Sequence, residues 1–119
     1  MEQPTVLTID APRLDYANAD AFGERLSQAL GDDGSKHVIV NFHGVEAISS
    51  VGFRALVLGL KKSTAGNGAI VVTGLSGLAR EAYLVSKLDL AFHTFETLEL
   101  AQTAFRAGEI QAKPHPHPH

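Results

Sequence analysis

The run Val38-Ile39-Val40-Asn41-Phe42-His43-Gly44-Val45-Glu46-Ala47-Ile48-Ser49-Ser50-Val51-Gly52-Phe53-Arg54-Ala55-Leu56 decides how this chain folds. It begins as a nearly continuous apolar strand, His37 to Phe42, of the kind buried on both faces. A short loop follows, then two serines and a glycine. An apolar-periodic segment runs from there to about Ala65, with Phe53, Leu56, Val57 and Leu60 as its expected inward stripe. The pattern places a helix N-terminus just beyond the end of a central strand. Two hydroxyls therefore sit where backbone N–H groups lack partners and the helix dipole is positive. Such a place accepts a phosphate or stabilises a phosphorylated serine. It is equally the place where a serine serves only as N-cap.

Working outward, strand and helix signals alternate. Thr5–Ile9 is a β-branched run ended by Asp10, Ala11 and Pro12. Pro12–Tyr16 reads as loop. Asn18 is placed to cap a helix reaching Leu30, with Phe22, Leu26, Ala29 and Leu30 on one face and Gly31 to end it. After the central helix, Lys61 and Lys62 fall where cations suit the dipole, and Gly66-Asn67-Gly68 breaks the chain. A strand at Ala69–Thr73 follows, then a short helix capped by Ser76. A weak strand lies at Phe92–Phe95, and a last helix is capped by Thr97, with Leu98, Ala101, Ala104 and Phe105 inward. The alternation predicts an α/β fold of about four strands in a mostly parallel or mixed sheet, with about four crossover helices.

The 119 residues suit one domain. We place it at residues 1–109, followed by a disordered His/Pro tail at 110–119, where alternating proline removes ladder and helix donors. Ten basic and 13 acidic side chains give a net charge of −3 with no basic stripe, which argues against nucleic acid as partner. Cysteine is absent, which excludes thiolate metal sites and cysteine nucleophiles. No apolar run approaches the roughly 20 residues of a membrane span, and no signal peptide is visible, so a cytoplasmic location and no direct membrane contact are expected. His37, His43 and His93 show no ligand spacing, and neither metal nor cofactor is expected. Glu46 and the serines lack a histidine base at recognisable spacing, which disfavours a serine hydrolase.

With these segments in place, residues 5–107 resemble the STAS family, the anti-sigma factor antagonists of bacterial transcription control. The strand, loop and Ser49-Ser50-Val51-Gly52-Phe53-Arg54 are similar to the family's D-S-S-G or D-S-A-G motif and following helix. Arg13-Leu14-Asp15 with Asn18-Ala19 and Phe22 looks like its G-R-L-D-x-x-N-A segment, and Leu88-Asp89-Leu90 with Phe92 like its late helix-to-strand connection. The resemblance implies a binding module rather than an enzyme. Its unphosphorylated form binds an anti-sigma factor serine kinase, phosphorylation dissolves the complex, and a PP2C-type phosphatase resets it.

The family's Asp falls on Ser49, and its second acceptor position is Val51, which cannot carry phosphate. The D-S-A-G members match better and place the phosphoacceptor on Ser50, with Ser49 as the adjacent alternative. The resemblance assigns partner contact to Asp15, Ser49, Ser50, Val51, Gly52 and Arg54. For Asp15 the residues alone leave a turn role open, and for Arg54 a solvated helix position. The family's opening hairpin has room here for a single strand, so a sheet edge is left for a partner, a second copy included. Two rivals belong to other classes. One is a STAS subunit without a phosphoswitch in a lipid-transport or signalling assembly. The other is a small enzyme using the serine loop as an anion site.

Overall fold

The computed structural model describes residues 3–110. In chain order it contains β1 (Thr5–Thr8), β2 (Arg13–Leu14), α1 (Ala19–Leu30), β3 (His37–Asn41), β4 (Ala47–Ile48) and α2 (Ser50–Gly66). Then come β5 (Ala69–Thr73), α3 (Gly77–Val85), a single 3-10 turn at Leu88–Leu90, β6 (His93–Phe95) and α4 (Leu98–Arg106). The main sheet has the order β1-β3-β5-β6, and all three pairings are parallel. Of the two sheet types expected, the parallel one is therefore found.

Period-2 alternation explains why the central strands read as unbroken apolar runs. On β3 and β5, Val38, Val40, Ile70 and Val72 face one core, while Ile39, Ala69 and Val71 face another. The first core is covered by Phe22, Leu26 and Leu30 of α1, Leu56 of α2, and Ala79 and Tyr83 of α3. The second is covered by Ala101 and Ala104 of α4. Helices on both faces are what a parallel sheet requires. At the β1 edge, Val6 lies beside Ile39 but remains 36% exposed. Among the described residues β1 has one strand neighbour, β3.

Three local expectations change. Pro12–Tyr16 is not simply loop, because Arg13 and Leu14 pair in parallel with Ala47 and Ile48 to form a second, two-stranded sheet. Two residues form no recognisable strand run, and their partner lies beyond a helix and a strand. The buried face of α2 is Gly52, Leu56, Gly59 and Ser63; Phe53, Val57 and Leu60 are only half-buried. Close approach of α1 decides this. A Cβ on Gly59 would lie 2.5 Å from Leu26 Cδ2 and 3.2 Å from Ile70 Cδ1, and one on Gly23 would meet Ala55 at 3.7 Å. Finally, Lys62 does not serve its own helix end. Its Nζ crosses to α1 and donates to the Ser27 carbonyl at 3.0 Å and to Ser27 Oγ at 2.8 Å.

The expected tail lies outside the described residues except for Ile110. That side chain is 8% exposed and packs with the α4-side core, so packing reaches one residue past the boundary expected at 109.

Candidate functional site

The serine pair is held by the small sheet. Beyond the β2–β4 pairs, Ser49 N–H donates to the Leu14 carbonyl at 2.9 Å, and on the other side Glu46 N–H donates to the Pro12 carbonyl at 2.7 Å. The ladder thus continues one step past Leu14 and Ile48 and sets the Asp15 turn beside Ser49. The loop after β3 is also tied locally, Val45 N–H donating to the Phe42 carbonyl at 2.9 Å and His43 N–H to Asn41 Oδ1 at 3.1 Å.

Ser49 is the N-cap of α2 in backbone terms. Its extended φ of −87° and ψ of 172° turn the chain into the helix, and its carbonyl accepts the Phe53 N–H at 3.1 Å. Its side chain makes no cap bond, and Ser49 Oγ is buried with no hydrogen-bond partner among the described residues. Ser50, the first helical residue, is exposed. The two neighbouring hydroxyls are therefore unlike: one is closed off, the other faces out. The first turn of α2 carries no acidic side chain, so its N–H groups and dipole are not already answered by an internal carboxylate.

The other expected site residues sort around this point. Val51 is 39% exposed and Arg54 is exposed, so both lie on the outer surface of the helix start. Gly52 faces inward. A Cβ there would come within 2.8 Å of Leu14 Cγ and 3.0 Å of Ile48 Cγ2, so Gly52 lets α2 seat against the small sheet. Asp15 has the turn role that its residue type allows. It lies in the turn next to the serines, and its Oδ1 accepts the Ala17 N–H at 3.0 Å. Asn18 sits at the α1 N-cap but does not cap through its side chain. Its Oδ1 accepts the Asp15 N–H at 2.9 Å and its Nδ2 donates to the Arg13 carbonyl at 2.8 Å, bracing the Asp15 turn instead.

One surface residue went unmarked in the sequence. Tyr16, 86% exposed, projects from the Asp15 turn. Its signal is an aromatic in a short loop with no periodic apolar partners. The expected histidines stay apart: His37 lies against Phe105 with ring centroids 5.6 Å apart, and His43 is exposed after β3. No group of three His, Asp or Glu side chains able to hold a metal occurs among the described residues. No helix among them is long and apolar enough to cross a membrane.

What this arrangement can do chemically is limited and specific. It presents an exposed hydroxyl at the positive end of a 17-residue helix, with Val51 and Arg54 exposed on the same helix start and Tyr16 exposed in the turn that follows Leu14. It can take a negative charge without disturbing the core, and it can contact another protein.

Residues 2–101 match the family model for the STAS domain. No curated protein sequence matches the chain significantly. Among solved structures, an anti-sigma-factor antagonist (STAS) domain protein from Planctomyces limnophilus is similar, with 21% identity and a TM-score of 0.78 over 87% of this chain and 92% of that one. An anti-sigma factor antagonist from Mycobacterium paratuberculosis has 21% identity and a TM-score of 0.72, over 89% of this chain and 88% of that one. At such identity the likeness is one of fold.

Proposed function

The chain belongs to the STAS family, and from that premise we propose that it is an anti-sigma factor antagonist whose binding is switched by phosphorylation of Ser50. The observation that carries the proposal is the contrast between the two serines: Ser50 is exposed at the start of α2, whereas the Ser49 hydroxyl is buried. A kinase can reach the first without opening the fold. The second would first have to leave its packed position.

The physical consequence follows from charge. A phosphoserine carries about −1.5 to −2 charges at neutral pH. At a helix N-terminus this gains roughly 0.3–1 kcal/mol from the dipole, so the phosphorylated domain stays folded. The effect falls on the partner surface. Leaving a charge unpaired inside an interface costs about 2–5 kcal/mol, and each ~1.4 kcal/mol is a tenfold loss of affinity. Val51 and Arg54, exposed on the helix start that carries Ser50, and Tyr16, exposed in the turn after Leu14, offer apolar, cationic and aromatic groups to a partner that a phosphoryl group on Ser50 would push away. The partner in this reading is an anti-sigma factor serine kinase, with a PP2C-type phosphatase removing the mark.

Incubating the protein with an anti-sigma-type serine kinase of its own organism and ATP, then sequencing the phosphopeptide by mass spectrometry, tests the site. Phosphate is expected on Ser50. Ser49→Ala retains the label and Ser50→Ala loses it. Ser50→Asp and Ser50→Ala both stay folded, but only the Asp form loses at least tenfold in kinase affinity. A kinase complex that forms but leaves both serines unmodified overturns the switch and favours a constitutive STAS subunit of a transport or signalling assembly.

A further inference from the structure

The serines follow the C-terminal end of β3, and a second concave feature lies at the other end of that strand. An open cleft of about 730 Å³ is lined by the residues leading into β1, the start of β3 and the end of α4. Its size is within the range of about 300–1,000 Å³ typical of small-molecule sites. Two lining side chains are basic, Lys36 and Arg106, both exposed. Among the described residues no Asp or Glu lines it, although the chain as a whole carries −3.

The rest of the wall is mixed, with polar side chains at Gln3, Thr5 and Ser35 and an apolar part at Pro4, Phe105 and Ile110. Phe105 and Ile110 contribute hydrocarbon, and the His37 ring lies 5.6 Å from Phe105 with an angle of 38° between the planes. Arg106 is oriented by one of its own N–H groups, since Nη2 donates to Thr103 Oγ1 at 3.3 Å. A guanidinium fork suits the paired oxygens of a carboxylate or a phosphate. Asp33 is the acid that weakens this field. Its Oδ1 accepts the backbone N–H of Ser35 at 3.0 Å, and its hydrogen bonds to Ser35, more than the charge of Lys36, hold its carboxyl below the usual range. Glu109 is exposed and does not line the cleft.

We propose that this cleft binds a small organic anion, a carboxylate or phosphate ester carried on a flat apolar body. Lys36 and Arg106 meet the charged group, while His37, Phe105 and Ile110 meet the body. The residues that follow, Gln111-Ala112-Lys113-Pro114-His115-Pro116-His117-Pro118-His119, hold a lysine and three histidines and no acid. They share the sign of the cleft, so charge complementarity favours an external anion over this segment. The site is separate from Ser50 and does not depend on the switch.

Amide NMR of the full chain titrated with phenyl phosphate tests it, with benzyl alcohol and inorganic phosphate as the uncharged and body-less controls. Saturable shifts are expected at Lys36, His37, Phe105 and Arg106 with phenyl phosphate, and no saturation over the same range with either control. The double variant Lys36→Gln/Arg106→Gln changes two exposed side chains, so it should keep its spectrum elsewhere and bind at least tenfold more weakly. Ser50→Asp should bind as well as the unaltered chain. Saturation by benzyl alcohol alone, equal binding of inorganic phosphate, or an unaffected double variant each overturns the proposal. So does binding that appears only in a chain ending at Ile110, which would identify residues 111–119 as the occupant.

Discussion

Ser49→Ala is the substitution for which two physical arguments give opposite signs. As an N-cap serine, residue 49 should lose about 0.5–2 kcal/mol on replacement by alanine. Its side chain, however, makes no cap bond, and Oγ is buried without a partner among the described residues. A buried hydroxyl that exchanges its water for nothing costs about 1–3 kcal/mol, and alanine removes that cost while keeping the extended backbone that starts α2. The small void left by the oxygen takes some of the gain back. We therefore expect Ser49→Ala to raise stability by about 1 kcal/mol, a rise in melting temperature of roughly 4 °C for a domain of this size. Urea unfolding of the wild type, Ser49→Ala and Ser50→Ala measures it, with equal slopes in all three as the condition for comparing midpoints. Ser50→Ala, at an exposed position, should stay within about 0.5 kcal/mol of wild type. A loss of about 1 kcal/mol on Ser49→Ala would refute the reasoning. It would mean that Oγ caps the first turn of α2 in solution, and the contrast between the serines would lose its basis.

At Gly52, alanine would gain about 1 kcal/mol of helix propensity, but its Cβ would stand 2.8 Å from the branch carbon of fully buried Leu14. Overpacking of this kind costs about 1–3 kcal/mol, so calorimetry of Gly52→Ala should show a net loss, with amide shifts at Asp15 and Ser49. Thr97 does cap its helix, Oγ1 accepting the Leu100 N–H at 3.1 Å; Thr97→Ala should lose about 1 kcal/mol in chemical denaturation, with Thr97→Ser recovering most of it. Tyr83 is fully buried with its hydroxyl 2.7 Å from Thr94 Oγ1, and burial pushes its phenol up to about 12. Because the folded value lies above the ordinary phenol value of 10.0, this contribution to stability is fully present below about pH 10 and lost as pH rises toward 12. Ultraviolet titration should show one late phenol, absent in Tyr83→Phe, and that variant should lose less stability than wild type over this window.

Several features were legible in the sequence because their causes are local. The nearly continuous apolar run at 37–42 announces a strand buried on both faces, and Val38 to Val40 are buried; the run at 69–73 announces a further strand, which is buried throughout. Helical spacing at Phe22, Leu26 and Leu30 gave α1 its inward face. Thr97 was recognisable as a cap and bonds as one. The STAS motif put the serine pair at a strand-to-helix junction, where the structure has it. Other features needed contacts between distant segments. Arg13-Leu14 becomes a strand only because Ala47-Ile48 lies alongside. Lys62 looked suited to its own helix end and instead reaches Ser27. The apolar positions of α2 predicted one inward stripe, but the nearness of Leu26 selected glycines for the closest contacts.

The serines show the division most sharply. The sequence by itself determined that two adjacent hydroxyls stand at the start of α2, because strand period, helix period and capping chemistry are properties of neighbouring residues. The motif resemblance ranks Ser50 before Ser49, but residue type gives no physical reason for the order, since both are serines one position apart. Only the tertiary structure supplies one. Pairing of Ser49 N–H with the Leu14 carbonyl locks that residue against the β2–β4 ledge and buries its oxygen, while the helical turn that follows carries Ser50 out into solvent.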